Sequence, residues 1–207
     1  MPATAATSHR DRILEVLGRK GMARLSEFLE AGATATAVSR LERDGTILRL
    51  GRGLYQLPDA ALDEHHALAE AAKLVPKGVV CLVSALAFHE LTDQMPRRVW
   101  MAIGSKDWRP RIGQPAIRFV RFAPESLSRH VESHSIEGVA VRITSPARTV
   151  VDLFRYRRTV GQNLAIEGLK EVLRTRKATP ADIHAIASEM GQWRLIRPYL
   201  ETVAHNG

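Results

Sequence analysis

Residues 34–58 read TATAVSRLERDGTILRLGRGLYQLP, and the punctuation of this stretch decides the fold. Thr34 suits a helix N-cap, because its hydroxyl can accept an amide proton from the first turn. Val38 and Leu41 follow as an apolar pair at helical spacing, and Gly45 is a natural helix end. Two short apolar runs come next, Ile47–Leu50 and Leu54–Leu57. Gly51-Arg52-Gly53 separates them and Pro58 closes the second. A three-residue, glycine-bearing connection between such runs reads as a β-hairpin.

Upstream of this stretch, Ser8 to Asp11 has the form of a capping box. Ile13, Leu14 and Leu17 continue at helical spacing, with Gly18 and Gly21 expected to end the helix. Leu25, Phe28 and Leu29 mark a second, short helix that stops at Gly32. The order helix, helix, helix, hairpin over residues 8–58 predicts a winged helix-turn-helix.

Such a domain lays the third helix in the major groove, which calls for donors and short polar groups on one helix face. Thr34, Thr36, Ser39, Arg40 and Arg43 supply that face, while Val38 and Leu41 turn inward to meet Leu17, Leu25 and Phe28. Guanine edges and phosphates are both within reach of Arg40 and Arg43. Arg52, between two glycines at the hairpin tip, is placed for a neighbouring minor groove or its phosphates, and Arg49 adds a possible phosphate contact. Three small helices and a hairpin also serve as protein-docking modules, and that alternative stands beside the DNA reading.

Residues 59–63 read as a linker. In the rest of the chain, residues 62–207, helical and strand patterns mix and a helical tail follows, so the fold class is α+β. A helix runs to about Val75, Val79–Val83 suits a buried strand, and Ser84–Leu91 a short helix. Arg98–Ile103, Ala116–Phe122 and Val139–Ile143 alternate as strands. Pro146 at a first helical position opens a helix to Arg155. Leu164–Leu173, Pro180–Met190 and Trp193–Val203 complete the tail.

The net charge of +8 favours a polyanionic partner. Its distribution is uneven, since Arg97 to Arg129 holds eight basic residues against two acidic ones. Arg97, Arg98, Arg109, Arg111, Arg118 and Arg121 form a second basic set, facing DNA beside the operator, an acidic partner or solvent. Cys81 is the lone cysteine, which excludes an internal disulfide framework and fits the cytoplasm. No apolar run approaches the ~18 residues of a membrane span, and Met1–Arg12 lacks the apolar region of a secretory leader. The first seven residues alone are of low complexity.

Catalytic constellations are weak. Gly104–Asp107 (GSKD) resembles the opening of a nucleotidyltransferase site only in part, because no Asp-x-Asp pair follows to hold metal. No Glu-x-Lys, P-loop or nucleophile elbow occurs. His130 and His134 have ligand-like spacing without a further ligand, and read as a surface or strand-edge pair rather than zinc. His65-His66 reads as a solvated helix start. Ser145 caps the helix begun by Pro146, with Arg148 and Asp152 paired at i,i+4, either as a structural pair or as part of an interaction surface. The expectation is a protein with no catalytic residues, metal or cofactor. An effector with its own catalysis in residues 62–207, modifying a partner, is the alternative.

Four runs carry a resemblance. Val38–Gly45 (VSRLERDG) with Leu48–Pro58 (LRLGRGLYQLP) resembles the winged-helix end of AbiEi-type antitoxins. Ser84–Gln94 (SALAFHELTDQ) and Ile143–Leu153 (ITSPARTVVDL) resemble later segments of the same family, so that the likeness spans most of residues 8–175. The resemblance implies a transcriptional autorepressor of a type IV toxin–antitoxin operon with a role in phage defence. It implies double-stranded operator DNA with repeats as one partner and an AbiEii-type nucleotidyltransferase toxin as the other, whose neutralisation does not require a stable complex. It also links the second part of the chain, as an antitoxin domain, to antitoxin activity and cooperative promoter binding.

Overall fold

The computed structural model describes residues 8–60 and 63–205. The low-complexity start, Ala61 and Leu62 of the expected linker, and the last two residues of the expected second domain lie outside the described residues. The chain forms two compact units. The first takes the described residues up to Pro76 with Arg111–Pro115 and His134–Val141, and the second takes the remainder.

The first unit opens with α1 (His9–Lys20), capped by Ser8 in a full capping box with Asp11. Gly18 lies inside this helix, and only Gly21 ends it, with φ +68° and its N–H on the Leu17 carbonyl. A short strand follows that apolar patterning missed, β1 (Met22–Arg24). Then come α2 (Leu25–Glu30), α3 (Ala35–Arg43), β2 (Leu48–Gly51) and β3 (Leu54–Gln56). β3 lies between its antiparallel neighbours β1 and β2, with Ala23 opposite Tyr55 and Arg49 opposite Tyr55 on its two sides. Ile13, Val16, Leu17, Phe28, Val38 and Leu41 close the core between the three helices, and the Phe28 and Tyr55 rings meet at 5.9 Å.

The unit extends past residue 58 to α4 (His66–Leu74). Glu27 on α2 binds Lys20 Nζ at the end of α1 (2.7 Å) and Lys73 Nζ on α4 (2.9 Å), and accepts the Arg24 N–H (2.7 Å). Burial alone would raise the Glu27 carboxyl, but these donors outweigh it and lower it to about 2. His66 is not a solvated start: it is half-buried with Nδ1 2.8 Å from Glu137 Oε2. Glu137 and Gly138 both have positive φ, as a two-residue hairpin turn needs. A Cβ at Gly21 would lie 2.0 Å from the Glu137 carbonyl oxygen, so the turn and the end of α1 touch through backbone.

The second unit holds β4 (Val79–Val80), α5 (Leu82–Phe88), β5 (Val99–Gly104) and β6 (Ile117–Phe122). After these in the chain come β7 (Val131–Ile136) and β8 (Val139–Thr144), whose residues His134–Val141 count with the first unit, and then helices α6 (Pro146–Arg155), α7 (Arg157–Val160), α8 (Gln162–Arg174), α9 (Pro180–Glu189) and α10 (Trp193–His205). The expected strand Val79–Val83 is only two residues long, because α5 starts at Leu82. β7 also went unpredicted; His134 lies on it, and His130, just before it, is 2.7 Å from Glu189 Oε2. The strand order is β6-β5-β4-β8-β7, mixed parallel and antiparallel. Trp100, Ala102 and Phe122 face a core made with α5, α6, α8, α9 and α10.

α6 is the buried centre of this unit. Ser145 caps it and Pro146 occupies its first turn, as the sequence predicts. Every residue from Ala147 to Phe154 is buried, Arg148 and Asp152 included. Arg148 Nε is 3.2 Å from Asp152 Oδ2, Arg148 Nη1 donates to the Arg129 carbonyl, and its guanidinium stands 5.2 Å from the Phe122 ring. Burial lifts the Asp152 carboxyl against the pull of Arg148. This pair is structural, not an interaction surface. Cys81, at the N-cap of α5, is likewise fully buried, and burial pushes its thiol well up.

Candidate nucleic-acid interface

α3 owes its two-sided character to register. Thr34 Oγ1 accepts the Ala37 N–H (3.2 Å), which fixes the first turn. Ala37, Val38 and Leu41 then fall inward, and Thr34, Thr36, Ser39, Arg40 and Arg43 are all exposed. At the other end, Gly45 takes φ +78° and its N–H returns to the Glu42 carbonyl, so the chain turns sharply into the hairpin.

The hairpin is held against the helices. The Gly53 carbonyl, at φ +68°, accepts the Leu25 N–H (2.9 Å), and Arg52 projects exposed beside it. Arg49 is more engaged than the sequence suggests. Its Nε donates to the Gly51 carbonyl (3.2 Å) and its Nη1 lies 3.8 Å from Glu42 on α3. It braces the hairpin to α3.

The sequence places the start of α1 at Ser8, as found, but gives the side chains of its first turn no part in the interface. Arg12 Nη1 donates to the Gly32 carbonyl (2.8 Å), and His9 Nδ1 is 3.1 Å from the same oxygen. These side chains set the α2–α3 turn. Together with Arg10 they line a cleft of about 590 Å³ whose other wall is Thr34, Thr36 and Arg40. The capping box at Ser8 was the available signal, since it places residues 9–12 in the first turn of α1.

Two family models match this chain. Residues 11–58 match "Transcriptional regulator, AbiEi antitoxin", and residues 78–198 match "AbiEi antitoxin C-terminal domain". The chain belongs to the AbiEi antitoxin family. It is accordingly an antitoxin and transcriptional regulator of the DNA-binding kind, α+β in class. The crystal structure of the RV2827C protein from Mycobacterium tuberculosis is similar in fold. The TM-score is 0.64 at 14% identity, covering 98% of this chain and 80% of that one. No curated protein matches.

Within the second unit, the basic residues of the second set do not all share one face of the sheet. Arg111 falls in the first unit. Arg118 stacks over Trp100 at 4.1 Å, and Arg109 stands 5.6 Å from the Phe119 ring. Arg118 and Arg121 are three apart on β6, so they point to opposite faces of the sheet. Arg121 Nη1 donates to the carbonyls of Gly104 (2.6 Å) and Asp107, while Asp107 Oδ2 accepts the Gly104 N–H (2.9 Å). This arginine holds the loop after β5. Trp108 in that loop is 77% exposed, and Arg97 and Arg98 lie exposed just before β5. Among the described residues no group of three His, Cys, Asp or Glu is placed to hold a metal, and no helix is long and apolar enough to cross a membrane.

Proposed function

We propose that this antitoxin represses its own operon by binding double-stranded DNA repeats upstream of it. It counteracts a nucleotidyltransferase toxin encoded beside it, in a phage-defence pair in the cytoplasm, and has no catalysis of its own. Residues 8–58 are the reader and residues 62–207 the antitoxin domain. Thr36, Ser39, Arg40 and Arg43 enter the major groove with Thr34 at their head, and Arg52 reaches the flanking groove. The observation that carries this reading is α3 itself: a buried apolar back, a hydroxyl-capped start and an exposed face of short polar groups and guanidiniums. The family membership supports the regulatory setting.

The test uses a duplex from the region upstream of the chain's own gene and an unrelated duplex of equal length. Arg43→Ala should cost about 1–3 kcal/mol on the upstream duplex, and Ser39→Ala less, with little change on the unrelated one. Equal affinity of the wild-type chain for both duplexes removes the operator reading. Co-expression with the neighbouring nucleotidyltransferase should restore growth; failure to do so removes the toxin half.

A further inference from the structure

The cleft between α1 and α3 is only partly accounted for by the major-groove reading. Of its basic side chains, Arg12 and His9 bind the Gly32 carbonyl. Arg10 and Arg40 are exposed, and among the described residues no hydrogen bond or ion pair occupies either guanidinium. The nearby carboxylates are engaged elsewhere. Asp11 Oδ2 is bound by Ser8 Oγ (2.7 Å) and Ser8 N (3.2 Å), and Asp44 Oδ1 by Thr46 Oγ1 (2.6 Å) and Thr46 N (3.0 Å). The Thr46 bonds lower the Asp44 carboxyl first, and both Arg10 and Arg40 add to that pull, so both guanidiniums lie within electrostatic range of this one carboxylate.

The shape fits a backbone rather than a base. Base edges lie as a flat floor in the groove, whereas a phosphodiester is a convex, singly charged ridge. A concave site with two uncommitted guanidiniums and the Thr34 and Thr36 hydroxyls offers the donors that phosphate oxygens take. We propose that this cleft receives one phosphate of the DNA backbone, gripped by Arg10 from α1 and Arg40 from α3. Arg40 is then a register-setting contact, and base reading falls to Arg43, Ser39 and Thr36. The inference rests on the DNA reading above and deepens it.

The test measures full-chain binding to the upstream duplex and to the unrelated duplex, by fluorescence anisotropy across a range of KCl. One phosphate contact contributes a slope of about 0.9 in log K against log salt, which is roughly eightfold in affinity at 0.1 M. Arg10→Ala and Arg40→Ala should each weaken both duplexes by up to that factor and flatten the slope by up to about 0.9, and the double variant should lose no more than about 0.9 in all. Arg10→Lys should keep the slope. Asp44→Asn, which still accepts from Thr46, should tighten both duplexes, a gain no folding defect can imitate. The cleft is ruled out if the wild-type chain binds and Arg10→Ala leaves affinity and slope unchanged. It is equally ruled out if Arg40→Ala erases only the preference for the upstream duplex. A wild-type chain that binds neither duplex overturns the DNA reading underneath.

Discussion

α3 and α6 are built alike and used oppositely. Each starts from a hydroxyl N-cap, Thr34 or Ser145, and each carries arginine. In α3 the apolar stripe is narrow, so Arg40 and Arg43 stand in solvent. In α6 the buried face has closed round the whole helix, and Arg148 is spent on Asp152, a backbone carbonyl and an aromatic ring. Arg121 behaves as Arg148 does, closing a loop from the inside of its bend. Positive charge counted along a chain is therefore not charge on offer to a polyanion. What separates the two kinds is whether carbonyls and carboxylates already occupy the donors.

Breaking the buried side of this comparison should cost most. Asp152→Ala leaves the Arg148 cation buried without its carboxylate, and urea unfolding should register a loss of about 3–5 kcal/mol. Replacing both members by apolar residues of similar volume should recover most of it, which would identify the loss as an orphaned charge rather than a missing bond. The second-largest effect concerns Glu27. Its carboxyl is lowered in the fold, so its contribution is full above about pH 4.5 and disappears as the pH falls towards 2. Up to about 3 kcal/mol of acid-limb stability follows from that shift, and Glu27→Gln should flatten the limb.

Two arginine truncations sharpen the distinction further. Arg121→Ala removes the donor that holds the loop after β5, and should lower stability by about 1–3 kcal/mol while leaving the salt slope of DNA binding intact. Arg52→Ala should do the reverse: no measurable change in unfolding, and a slope flatter by about 0.9 if the hairpin tip meets one phosphate. A common response to both substitutions would erase the division between occupied and available cations.

The reach of the sequence follows the same physics. α3, its cap and the hairpin were legible because Thr34, Gly45 and Gly51-Arg52-Gly53 act locally, each through its own backbone preference. α6 was legible through Ser145, Pro146 and the i,i+4 pair, but its complete burial was not, since that depends on helices far along the chain. β1 is three residues, too short for a period to appear. β7 reads VESHSI, and its polar positions hide the alternation. Arg10 escaped notice because the cleft exists only once α1 and α3 are packed side by side.

Cys81 has a practical consequence. As the single thiol, enclosed in protein and held protonated by its surroundings, it is chemically silent towards maleimides at neutral pH. Any cysteine introduced at the surface becomes the sole labelling site without removing a native one. A fluorophore attached through Ser105→Cys would report on the loop beside Trp108 in an otherwise unaltered antitoxin.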